Sequence, residues 1–134
     1  MGFPSPAADH ADQPLNLHEY LVVHPAATYF WRYAGFEMDR AGIHAGALLV
    51  VDRSLDARPG DVVTAYHRGE WLVRRLQRSG NRYQLATDPI DAPARAVAVD
   101  PDTVIWGVVT HAVNELRAGA VRTSRYADLS DGQG

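Results

Sequence analysis

The 134-residue chain contains neither cysteine nor lysine. The first absence excludes disulfide frameworks, cysteine nucleophiles, thiolate zinc sites and iron–sulfur clusters, and it fits a reducing cytoplasm. The second removes every lysine general base from the sequence. Long apolar runs are missing too. The longest, Ala45–Val51 and Val104–Val109, are strand-sized and far short of the roughly 20 residues a membrane helix needs. The start, Met1-Gly2-Phe3-Pro4-Ser5-Pro6, has no basic region and no apolar core, so it does not read as a signal peptide. Pro4 and Pro6 also speak against Gly2 as a myristoylation site. Net charge is −3 and the pI about 6.0, which leaves no electrostatic footprint for strong direct nucleic-acid binding or for an acidic membrane. There is no glycine-rich phosphate loop and no Gly-x-Ser-x-Gly elbow. The composition implies a cytoplasmic protein.

What is present is ordinary for a soluble domain: 46% hydrophobic and 22% charged residues. The length supports one core and is too short for two. Residues 1–14, with Pro4, Pro6 and Pro14, read as an extended arm. Residues 117–134, small and polar, read as a flexible tail. The patterned domain spans 15–116. One short helix is expected where Asn16 can cap, Glu19 follows three residues later, and Leu17, Tyr20 and Leu21 share a face before His24-Pro25 ends it. Everything after is β in character. Strands are expected at Ala27–Tyr33, Leu48–Asp52 (apolar throughout, as for a strand covered on both faces), Val62–His67, Glu70–Gln77, Arg82–Thr87, Arg95–Val99 and Val104–Val113. Turn signals at Pro59-Gly60-Asp61, Arg68-Gly69 and Ser79-Gly80-Asn81 join several of them. The expected fold is mostly β, a meander-rich, partly closed sheet with one short N-terminal helix.

Candidate chemistry is sparse. His10, His18, His24, His44, His67 and His111 show no metal-ligand spacing and read as surface or helix-end residues. No metal or cofactor is implied. The aspartates, Asp52, Asp61 and Asp100 among them, read as turn residues that bond their own backbone. Trp31, Trp71 and Trp106 fall inside strands and read as core or interface residues. Two features resist a bland reading. Glu37 stands between Phe36 and Met38 in a glycine-punctuated turn with no evident structural role. Adjacent Arg74 and Arg75 lie inside a strand, so one of them faces inward or into a cleft and needs an acid.

These residues resemble the UmuD/LexA family of self-cleaving serine peptidases. The match to its UmuD branch covers about residues 2–116, including Gly2–Asp9, His24–Phe30, Met38, Gly42-Ile43, Leu48–Asp52, Gly60-Asp61, Gly69-Glu70, Leu76-Gln77 and Gly107–Val109. The resemblance implies a LexA C-terminal-domain-like fold. It also implies a Ser–Lys dyad, with the serine in a Ser-Gly-Asp-Ser-Met-type turn and the lysine in a Val-Lys-Lys-Leu-Gln strand. Here the turn reads Ala34-Gly35-Phe36-Glu37-Met38 and the strand Val73-Arg74-Arg75-Leu76-Gln77. The dyad positions therefore hold Glu37 and Arg74, and Gly35 and Met38 mark the former oxyanion turn. A guanidinium stays protonated and cannot act as the base, so a pseudopeptidase is implied, not an enzyme. Phe36 replaces a small acidic residue, and Ala47 the aspartate of the family's Gly-Asp-Leu-Leu segment.

Family dyad proximity suggests that Glu37 and Arg74 form a salt bridge. UmuD is activated by removal of an arm just before Gly-Phe-Pro-Ser-Pro. A chain starting at Met1-Gly2 is expected to correspond to that shortened, mutagenically active form. The implied role is a homodimeric, non-catalytic accessory subunit of a UmuC-like Y-family translesion polymerase, acting with a RecA filament in SOS mutagenesis. The alternatives are a regulatory decoy that forms heterodimers with a UmuD-like or LexA-like protein, and a residual peptidase using Glu37 or a displaced Ser54 or Ser79.

Overall fold

The computed structural model describes residues 14–117. The arm assigned to 1–14 and the tail assigned to 117–134 fall outside this range except for their innermost residues. Helix α1 spans Leu17–Leu21. Its cap forms as the sequence suggests, with Asn16 Oδ1 accepting the Glu19 amide at 3.2 Å. Its apolar face, however, is only partly covered. Leu17 and Tyr20 are exposed and Leu21 is half-buried, while Val22, just past the helix, is buried. A 3-10 turn at Pro25–Ala27 leads into the first strand.

Seven strands follow: β1 Thr28–Arg32, β2 Leu48–Asp52, β3 Val62–His67, β4 Glu70–Ser79, β5 Arg82–Ala86, β6 Ala96–Ala98 and β7 Val104–Val113. They make one antiparallel sheet in the order β1-β2-β7-β3-β4-β5-β6. The chain's last strand is inserted between the second and third. The β3–β4 turn uses Arg68 (φ 49°) and Gly69 (φ 81°), the left-handed pair that matches strand twist in a two-residue hairpin. β2 is buried over Leu49–Asp52, which accounts for its unbroken apolar run.

β7 carries two bulges. Val50 pairs with His111 and Val51 with Val109, leaving Thr110 extra. Thr64 pairs with Gly107 and Ala65 with Ile105, leaving Trp106 extra. A bulged residue loses its ladder partner. The freed Trp106 carbonyl instead accepts Arg53 Nε at 3.0 Å, while the guanidinium lies 4.3 Å from the Trp106 ring.

The buried apolar side chains form two clusters. One gathers Trp31, Tyr33, Met38, Leu49, Val51 and Val73. The other holds Val63, Ala65, Leu76, Leu85 and Val108. The three tryptophans meet although their strands are far apart in the sheet. Ring centroids are 5.1 Å apart for Trp31–Trp71, 5.3 Å for Trp31–Trp106 and 6.0 Å for Trp71–Trp106. Tyr29 and Tyr66 extend the group, each 5.0 Å from a tryptophan. Trp31 is 5% exposed and Trp71 38%, so the cluster runs from core to surface. Among the described residues no helix is long and apolar enough to cross a membrane.

Candidate functional site

The turn after β1 is set by its anchors. The Met38 side chain is fully buried, and its carbonyl accepts the Ala41 amide at 3.0 Å. The Glu37 carbonyl accepts the Asp88 amide at 2.7 Å, and the Asp88 carbonyl accepts the Arg40 amide at 2.9 Å. Two backbone bonds thus fasten the turn to the segment following β5. Phe36 is left exposed.

The missing structural role of Glu37 is supplied by Tyr33. The phenol, on a residue 3% exposed, donates to Glu37 Oε1 at 2.7 Å. Gly35 lies under this contact. A methyl group there would overlap the Glu37 carboxylate and sit 2.8 Å from the Tyr33 oxygen, so the bond requires a residue without a side chain. The Tyr33 bond is the main reason the Glu37 carboxyl titrates below the usual glutamate range; backbone amides and the Arg74 charge act in the same direction against partial burial. Burial foremost, then the bond to Glu37 and its charge, pushes the Tyr33 phenol well above its ordinary value. From the sequence Tyr33 is only the end of an expected strand. Its spacing of four residues across a bent turn carries no recognisable motif.

The expected Glu37–Arg74 salt bridge does not form. No ion pair joins them within 4.0 Å. Arg74 Nη1 instead donates to the carbonyl of its neighbour Val73 at 2.9 Å. The tyrosine satisfies Glu37 from the turn itself, so Arg74 acts on it only as a more distant charge. Glu37 and Arg74 do line one cavity of about 780 Å³ with His67, Arg68, Glu70, Leu72, Leu85, Arg95 and Val97. Period two separates the adjacent arginines as expected. Arg75 turns away and finds the acid, with Nη2 3.3 Å from Asp88 Oδ2 and Nη1 donating to the Gly60 carbonyl at 2.6 Å.

One histidine departs from the surface reading. His67, 7% exposed, shares a 2.8 Å hydrogen bond between Nδ1 and Thr103 Oγ1. His24 is exposed ahead of the 3-10 turn, as expected, and its Nδ1 lies 2.6 Å from Asp52 Oδ2. Asp52 is 4% exposed, and its other oxygen accepts the Ser54 amide at 2.8 Å and the Ser54 hydroxyl at 2.6 Å. Burial, the largest influence, raises the Asp52 pKa; the bonds from His24 and Ser54 outweigh it and hold the carboxyl below the usual range. Ser54 is therefore a turn residue whose proton serves Asp52, and Ser79 is exposed at the end of β4. Neither lines the cavity with Glu37. Other aspartates behave as turn residues: Asp61 Oδ2 accepts the Arg58 amide at 2.9 Å, and Asp100 Oδ1 the Asp102 amide at 2.9 Å. His10 lies outside the described residues. Among the described residues, no three His, Asp or Glu side chains gather to hold a metal.

The mostly-β sheet with one short N-terminal helix is the architecture expected from the sequence, and comparison gives it a family. The Peptidase S24-like family matches residues 1–110, and the chain belongs to that family. It is 46% identical over 117 residues to the protein MucA of Salmonella typhimurium, covering 85% of this chain and 78% of MucA. It is 43% identical over 117 residues to the protein ImpA of Shigella flexneri (87% and 79%). It is also 35% identical over 108 residues to the LexA repressor of Pseudomonas chlororaphis, spanning 80% of this chain and 53% of the repressor.

Proposed function

We propose that this S24-like chain is a non-catalytic, UmuD-like accessory subunit of a Y-family translesion polymerase. The observation that carries this reading is the pair of residues at the family's dyad positions. Glu37 stands where the serine is expected, held by Tyr33, and Arg74 stands where the base is expected, in a chain with no lysine. A carboxylate at that turn does not replace an alkoxide in peptide cleavage, and a guanidinium keeps its proton at every accessible pH. Tyr33 further withdraws Glu37 by tying up one of its oxygens.

Support for a homodimer comes from the aromatic group. Tyr29, Tyr66 and Trp71 leave substantial area exposed beside the buried Trp31, the apolar, aromatic composition that interface cores favour. Polymerase and RecA-filament partners belong to the proposal by family resemblance.

Co-purification of the tagged full chain from its own host after DNA damage, read by mass spectrometry, tests the reading. A Y-family polymerase in the eluate is expected. Recovery of only a LexA-like or second UmuD-like protein replaces it with a regulatory heterodimer. Labelling of the purified protein by a fluorophosphonate overturns the non-catalytic assignment.

A further inference from the structure

Arg74 is half-buried, and its one hydrogen bond goes to a neighbouring backbone carbonyl. No carboxylate of the described residues lies within 4.0 Å of its guanidinium. A guanidinium offers five donors in a planar fork shaped for a carboxylate, so most of this capacity is unused. The cleft's acids are largely committed elsewhere. Glu37 accepts from Tyr33. Asp100 accepts the Thr103 hydroxyl at 3.0 Å and the Asp102 amide, and lies 3.7 Å from Arg68. Of the charged residues lining the cavity whose side chains make no ion pair and no bond to another side chain, Arg74 and Arg95 are cationic, and Glu70, at the β3–β4 turn, is the single anion.

The walls suit an extended chain. Leu72, Leu85 and Val97 give the cavity an apolar lining. Among the described residues β6, which supplies Val97, is the last strand of the sheet, bonded to β5 on one side only. Its three residues, Ala96–Ala98, are all exposed, and the two alanines leave room for close backbone approach. A free strand edge with a pocket for alternate side chains is the arrangement that recognises extended peptides by strand addition.

We propose that the cleft is a docking groove for an extended acidic segment of a partner protein, which adds to the free edge of β6 and places one carboxylate on Arg74. This inference rests on the non-catalytic reading of Glu37 and Arg74. Charge complementarity selects the occupant. A neutral segment leaves the half-buried guanidinium with only the more distant charge of Glu37, whereas an Asp or Glu side chain completes a direct charge-assisted pair. Arg95, immediately before β6, extends the preference for negative charge along the same edge.

The test uses the full chain, isotope-labelled with ¹⁵N, and two fluorescein-tagged decapeptides of alternating Thr and Val. One carries a central Asp and the other the isosteric Asn. The Asp peptide is expected to bind at least about tenfold more tightly, the low end for one hydrogen bond to a charged group. Amide shifts should concentrate on β6 and on 72–74. Arg74→Gln should erase the difference between the peptides, and Arg74→Lys should retain most of it. Equal binding of the two peptides, no binding of either, or shifts confined to another face overturns the groove, and this comparison needs no variant to fold. Peptide mass after prolonged incubation separates the two readings. A cleaved peptide overturns the non-catalytic assignment, while an intact and unbound peptide overturns the docking groove alone.

Discussion

Two carboxylates flank β1, and they are satisfied in opposite ways. Asp52, at the end of β2 opposite Thr28, is buried and has both oxygens engaged, by His24 and by Ser54. Glu37, past the other end of β1, is exposed, and one of its oxygens is held by Tyr33. Both titrate low. For Asp52 this happens against the resistance of burial, through several short bonds. For Glu37 it rests mainly on one. A buried charge has to be fully partnered to be tolerated, whereas an exposed one can be held by a single neighbour. The Asp52 end is built as structure. The Glu37 end is an exposed surface with one carboxylate oxygen held by Tyr33.

The comparison is sharpest where the bonds are most buried. Asp52→Ala removes the partner of His24 and of the Ser54 amide and hydroxyl together, and is expected to cost about 3 kcal/mol in urea unfolding. A loss below about 1 kcal/mol would place the two carboxylates in the same class. Tyr33→Phe should cost about 1 kcal/mol and return the Glu37 carboxyl toward its ordinary titration range, followed by NMR of its side-chain carbon. If Glu37 keeps its low value, Arg74 rather than Tyr33 controls it.

The pH dependence has a definite sign. Carboxyls lowered in the folded state contribute stability that is complete above about pH 5, clear of their unfolded values, and is lost as the pH falls through their folded values. Asp52→Asn should flatten the acid limb of the stability curve more than Glu37→Gln does. The reverse order contradicts the contrast drawn from burial. The smallest effect is expected in the double-mutant cycle of Glu37→Ala and Arg74→Ala. With no direct ion pair, the coupling should stay below about 0.5 kcal/mol; a value of 2 kcal/mol or more would restore the salt bridge.

Much of the fold was legible because it rests on local pattern. The unbroken apolar run of β2, the Arg68-Gly69 hairpin and the Asn16 cap follow from alternation, left-handed turn geometry and side-chain capping, which neighbouring residues decide among themselves. The expected bounds of β2, β3 and β7 match the structure, while β4 runs on to Ser79 and β6 shrinks to three residues. The arginines' opposite directions were equally legible from period two. The partners were not. Arg75 meets Asp88 across the β4–β5 hairpin, His24 meets Asp52 across 28 positions of sequence, and His67 is buried against Thr103 because β7 returns to lie beside β3.

The sequence by itself determined most of the elements, the family and the presence of Glu37 and Arg74 in their turn and strand, since each is written in a contiguous stretch. Only the tertiary structure decided what those residues do with their charge. Whether Glu37 bonds Arg74 or Tyr33 depends on how a glycine-floored turn folds back on its own strand. Whether Arg74 is left without an acid depends on which side chains the sheet's curl brings within a few ångströms. Both are questions of distance between residues remote in sequence or bent out of any regular period, and pattern carries no distances.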